Sequence, residues 1–161
     1  MFLSTVFTLF CLMASVPSRC QNVVPSAHIE GGDPRPVYYP EDTAISAWDL
    51  SHANSHIAGG FEFGGSQLIV PVSGRYYVYT QLYFNSEPMA TRNRVGVFTG
   101  QRILLMIHKS MQPSTEETAS AGGIFKLNTG ERVFVKPFKG YGSVKLWVGP
   151  NHTYFGMYKV D

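Results

Sequence analysis

The sequence predicts an all-β protein built as an antiparallel sandwich, and three observations lead there. After Gln21 no stretch keeps an apolar pattern at helical spacing for three turns. Short alternating or β-rich runs recur instead, punctuated by Gly, Pro and Ser. The composition agrees: the 161 residues include 16 Gly and 10 Pro, and aromatics make up 14%. About ten hairpin-connected strands bury one face of a sheet against a second sheet.

The elements follow in order. Residues 1–20 read as a secretory signal peptide: 2–16 are apolar or small and uncharged, followed by Pro17-Ser18-Arg19-Cys20 and a cut near Gln21. Fifteen residues make a helix of ~23 Å, short of the ~30 Å hydrocarbon core. The n-region has no Lys or Arg, so an uncleaved anchor is the competing reading and the one route to a membrane. Cleavage removes both cysteines, Cys11 and Cys20, leaving a chain stabilised by packing and assembly without disulfides. Residues 21–37 form an N-terminal segment with the first strand, and 38–161 the domain, whose core runs from 27. Expected strands are 27–29, 44–48, 57–63, 67–72, 75–84, 92–98, 103–110, 123–127, 132–137, 144–148 and 153–160. Residues 33–36 and 112–119 read as loops, and Ser73-Gly74, Asn128-Thr129-Gly130 and Gly149-Pro150-Asn151 as turns.

Residues 75–84 stand apart because both faces of that strand are large and mostly uncharged. Tyr76, Val78, Thr80 and Leu82 take one side; Tyr77, Tyr79, Gln81 and Tyr83 take the other. The last strand repeats the pattern, with Tyr154, Gly156, Tyr158 and Val160 opposite Phe155 and Met157. A sandwich strand has one inner face. Tyrosine on the second face of two strands therefore points to a surface buried by association, with scattered exposed tyrosine as the bland alternative.

Charge narrows the function classes. Thirteen Lys+Arg stand against 11 Asp+Glu, and charged residues are only 15%. The absence of a basic block argues against nucleic acid and against a polybasic membrane patch. No nucleophile–base–orienter set stands out, so no enzyme, metal or cofactor is expected. His52 and His56 have metal spacing only on a helix, which the Gly59-Gly60 context opposes. Asn151-His152-Thr153 is an N-glycosylation acceptor, placing Asn151 on the surface.

Four blocks resemble the tumour necrosis factor ligand superfamily. Ala27-His28-Ile29 with Ala44-Ile45-Ser46-Ala47-Trp48 is similar to its opening strands. Leu68-Ile69-Val70-Pro71, then Gly74-Arg75-Tyr76-Tyr77-Val78-Tyr79-Thr80-Gln81, resembles its central Tyr-rich block. Gly122-Gly123-Ile124-Phe125-Lys126-Leu127 resembles the Gly-Gly-hydrophobic-Phe strand, and Thr153-Tyr154-Phe155-Gly156-Met157-Tyr158 the closing strand.

The resemblance implies a jelly-roll β-sandwich, a compact homotrimer, and a secreted cytokine that clusters receptors of the tumour necrosis factor receptor family between its subunits. By position it places Tyr77, Tyr79, Gln81, Tyr154, Tyr158 and Val160 at the trimer interface, the set the two-faced pattern selects. It places Tyr76, Val78, Phe125 and Phe155 in the core, and Gly156 where neighbouring chains approach closely. His28 would be structural, near the trimer base. Receptor contact would fall on Phe98 and Arg102 at one loop tip, and on Ser51 and His52 in another, although the basic pair some members carry there is absent. The alternative on the same jelly roll is a complement-type recognition lectin, which Tyr154-Phe155-Gly156 fits less well.

Overall fold

A computed structural model describes residues 23–86 and 91–161. The signal-peptide expectation and both cysteines lie outside those residues. Among the described residues thirteen strands form two antiparallel sheets. In chain order they are β1 (Ser26–Gly31), β2 (Pro36–Tyr39), β3 (Trp48–Asp49), β4 (His56–Ala58), β5 (Glu62–Gly64), β6 (Gln67–Ile69) and β7 (Gly74–Asn85). They continue with β8 (Thr91–Thr99), β9 (Arg102–Met111), β10 (Glu116–Leu127), β11 (Arg132–Pro137), β12 (Val144–Trp147) and β13 (Tyr154–Lys159).

The larger sheet has eight strands in the order β2-β12-β7-β13-β1-β3, with β10 on the other edge of β7 and β4 beside β1. The smaller runs β5-β6-β11-β8-β9. The long alternation of β7 makes it the spine: Tyr76, Val78, Thr80, Leu82 and Phe84 are buried between the sheets, as the sequence pattern requires. Phe155 and Met157 of β13, Val95 and Val97 of β8, and Val133 and Val135 of β11 complete the same core. Phe125 packs against it while half-buried. Two polar groups inside are satisfied: the Tyr76 hydroxyl donates to the Val72 carbonyl at 2.6 Å, and Thr80 Oγ1 to the Tyr154 carbonyl at 2.9 Å.

Four expectations about elements need correction. Residues 57–63 are not one strand: Gly59 and Gly60, at φ 63° and 86°, turn the chain between β4 and β5. Of residues 44–48 only Trp48 is in a strand, although Ile45 is fully buried and its N–H donates to the Val135 carbonyl at 2.9 Å. Pro36 opens β2, where its missing N–H costs nothing at a first strand position. Finally, β10 begins at Glu116, so part of the expected 112–119 loop is paired with β7.

Candidate assembly face and receptor tips

Register decides which side chains share the outer face of the larger sheet. Tyr77 lies opposite Tyr158, Tyr79 opposite Gly156, and Gln81 opposite Tyr154. On the far side of β13, Gly156 is opposite His28 and Tyr154 opposite Glu30. On the other edge of β7, Gly122 is opposite Tyr79 and Ile124 opposite Tyr77. The tyrosines named from sequence thus share one surface, turned away from the core.

They interlock. Ring centroids are 6.0 Å apart for Tyr77 and Tyr79, 5.5 Å for Tyr77 and Tyr158, and 6.3 Å for Tyr79 and Tyr154. Separations of this size are those of favourable aromatic pairs. Glycine is what lets the rings lie flat. A Cβ on Gly122 would run into the Tyr77 hydroxyl, and one on Gly156 would come within 2.6 Å of the Tyr79 hydroxyl. The space above Gly156 is therefore filled by Tyr79 of the same chain, not left for a neighbouring chain as the resemblance implies.

His28 is the hub beneath this surface. Its Nδ1 accepts from the Tyr79 hydroxyl at 2.8 Å while Nε2–H donates to Glu30 Oε1 at 3.1 Å, the tautomer that serves both contacts. Its ring also packs on Tyr154 at 5.1 Å and stacks on His56 at 6.3 Å. Glu30, only 3% exposed, accepts a further bond from the Asn151 backbone N–H at 2.8 Å, and its own N–H donates to Ser55 Oγ at 3.0 Å. Burial, then the neighbouring Tyr154, Tyr158, Glu30 and Tyr77, push the Tyr79 hydroxyl up to about 12. Sequence reasoning singled out neither Glu30 nor its links. The available signal was a carboxylate two residues after His28, on the same side of Ser26-Ala27-His28-Ile29-Glu30.

Toward one end the face opens to solvent. Tyr158 is 44% and Val160 39% exposed, although Val160 still donates its N–H to the Arg75 carbonyl. Exposed Val23, Val24 and Val72 continue this apolar edge around an open groove of about 600 Å³.

The expected receptor residues sit apart. Phe98 is 6% exposed on the outer side of β8, stacked on Phe134 at 6.1 Å and against Phe138 at 5.0 Å, with the Lys136 ammonium 4.7 Å over its ring. It supports the tip from beneath and does not present an exposed aromatic, a correction to the sequence expectation. Arg102 is exposed just beyond the Gly100 turn, donating to the Lys126 carbonyl at 3.1 Å. Ser51 is exposed after β3 and donates through Oγ and N–H to Asp49 Oδ1 at 2.6 and 2.8 Å, which holds the Asp49 carboxyl below its usual range. The half-buried His52 accepts from the Asn54 N–H at 3.2 Å. These two tips rise from different sheets. Asn151 is exposed in a turn at φ 64°, and its side-chain oxygen accepts from Asn54 Nδ2 at 3.0 Å.

A profile of the TNF (Tumour Necrosis Factor) family matches residues 46–160. The chain belongs to the tumour necrosis factor family. Among its relatives are CD40 ligand of Mus musculus, 34% identical over 59% of this chain and 47% of that protein. Tumor necrosis factor of Ovis aries is 30% identical over 72% of this chain and 55% of that one. Lymphotoxin-alpha of Rattus norvegicus is 25% identical over 88% and 79%. The chain thus spans about half the length of the first and second of these. The Eiger TNF of S. frugiperda superposes with a TM-score of 0.69 at 17% identity, covering 86% of this chain and 93% of that one, which fixes the fold as the TNF jelly roll. Family and fold thus agree: a TNF-family chain carrying the TNF jelly roll.

Proposed function

We propose that this TNF-family chain is a secreted homotrimer that binds and clusters receptors of the TNF-receptor type. In this reading Tyr77, Tyr79, Gln81, Tyr154, Tyr158 and Val160 meet their copies about a threefold axis. Arg102, Ser51 and His52 face the receptor, Phe98 props the first tip, and Asn151 carries a glycan. The mechanism is multivalent binding, with no bond chemistry.

One observation carries the reading: a tyrosine surface interlocked on the outside of a sandwich, grading into exposed Tyr158 and Val160. Covering such side chains contributes roughly 1.5–3 kcal/mol each before the entropy cost of association. Sedimentation tests it. The unaltered chain should run as a trimer, and Tyr158→Glu as a monomer, because three carboxylates cannot share a dry axis. Tyr158 is exposed in the single chain, so folding survives the change. A trimer that persists in the variant, or an unaltered chain that is monomeric, overturns the proposal.

A further inference from the structure

The sequence contains no basic block, yet the fold builds a basic row. Arg92 and Arg94 of β8, and Arg132 and Lys136 of β11, project from the outer surface of the smaller sheet, opposite in sense to buried Asn93, Val95, Val133 and Val135. Lys136 pairs in register with Gly96. At about 3.4 Å per residue, Arg92 lies ~13 Å to one side of that pair and Arg132 ~13 Å to the other. The row therefore spans about 27 Å along the strands.

Most other cations are neutralised: Arg35 by Asp33, Arg75 by Asp161, Arg102 by Glu131 and Lys109 by Glu117. Among the described residues Arg92, Arg94 and Arg132 have no carboxylate at ion-pair distance. Arg94 instead lays its guanidinium over the Tyr141 ring at 4.1 Å and donates to that hydroxyl, leaving its Nε without a partner. Acids border the row without filling it: Asp42 pairs with Lys136, Glu41 accepts from the Gly140 N–H, and Glu62 stands on β5 beyond Arg132.

We infer that this face binds a linear sulfated polysaccharide, laid along β8 and β11. Sulfates would meet Arg92, Arg94 and Arg132, with Lys136, already paired to Asp42, between them, and a sugar ring would pack on exposed Tyr141. Charge complementarity selects this occupant. A single anion would not need a row of this length. The Phe98 ring on this face is covered, so among the described residues Tyr141 is the one exposed aromatic along the row, too little for a run of stacked bases. The face lies on the sheet opposite the tyrosine surface, so its occupancy is independent of how that surface is covered.

Heparin binding measured against salt is the test. Arg92→Ser/Arg132→Ser, at two exposed positions, should weaken heparin binding about 25-fold and flatten the log–log salt dependence by about two. Arg35→Ser/Lys126→Ser removes the same net charge elsewhere and should change affinity less than about threefold. Equal weakening by both pairs, or no heparin binding near physiological salt, overturns the inference. So does tighter binding to duplex DNA or to phosphatidylserine vesicles than to heparin, because either would assign the row to a different partner.

Discussion

Gly156→Ala tests the construction of the tyrosine face most directly. In an extended strand this exchange ordinarily stabilises by ~0.4–1 kcal/mol, through the unfolded chain. Here the added methyl would stand 2.6 Å from the Tyr79 hydroxyl and 2.7 Å from its ring carbon, and would also press on the Ala27 carbonyl across the β1–β13 ladder. The ladder is fixed by hydrogen bonds, so the ring must swing. Swinging breaks the 2.8 Å bond to His28, about 1 kcal/mol, and adds an overpacking cost of about 1–3 kcal/mol. The net loss should be about 2–3 kcal/mol, or ~8–12 °C in thermal midpoint at ~4 °C per kcal/mol. Melts must be run at one protein concentration, because an assembling chain has a concentration-dependent midpoint. Tyr79→Ala completes the cycle: with the ring gone, Gly156→Ala meets only the Ala27 carbonyl, and the coupling should be about 1–2 kcal/mol. A midpoint within ~2 °C of the parent, or coupling below ~0.5 kcal/mol, would refute the claim that glycine makes room for the ring.

Two further outcomes follow from the same coordinates. The Tyr79 hydroxyl is raised to about 12 in the folded chain, so its contribution is whole below pH 10 and is lost as pH climbs from 10 through 12. Stability should fall across that window by an amount of order 2 kcal/mol after partial screening, and Tyr79→Phe should flatten the fall; an identical alkaline profile for both proteins, read by denaturant titration, would count against it. Phe98→Ala removes a ring held between Phe134 and Phe138 and should cost about 3 kcal/mol in the same titration, the low end for a buried Phe because the ring lies outside the main core. An unchanged midpoint together with a lost receptor interaction would return Phe98 to the direct contact role expected from sequence.

Where a pattern of period two meets a single core, the sequence was sufficient. Residues 75–84 fall within β7 with the expected inward and outward sets, and the final strand alternates as expected over Tyr154–Lys159, one residue short of the expected 153–160 at each end. The reading failed where pairing, not burial, holds the backbone. Glu116–Ala119 looks like a loop because it is polar on both sides; yet it is paired along β7, with Glu116 accepting from the Tyr83 hydroxyl at 2.8 Å and from Asn85 Nδ2 at 2.6 Å. Residues 36–39 were hidden by the prolines around them, since edge pairing to β12 leaves no apolar signature. In the site, the tyrosine set was legible because it alternates within one strand. Contacts between residues remote in sequence were not: Glu30 with Asn151, Phe98 with Phe138, and the row joining Arg92 to Arg132 exist only after the sheets form.

The Glu30 network bears on how a single chain holds such a face in order. Four tyrosines free to rotate would lose side-chain entropy on association, at ~0.5–1.5 kcal/mol for each immobilised side chain. Here that ordering has already occurred within one chain. Tyr79 is pinned by His28, His28 by Glu30, and Glu30 by the Asn151 backbone N–H and the Ser55 bond, while Tyr77 rests over Gly122 and Tyr79 over Gly156. Glu30 sits on β1 and Asn151 in the turn before β13, so the carboxylate ties the turn carrying the glycosylation acceptor to the surface of the rings. Ile124, Tyr158 and Val160 remain exposed on this face and have area left to cover. A surface ordered at its centre and open toward one end can gain burial on association without paying again to organise itself, which is the physical case for the tyrosines as a contact surface.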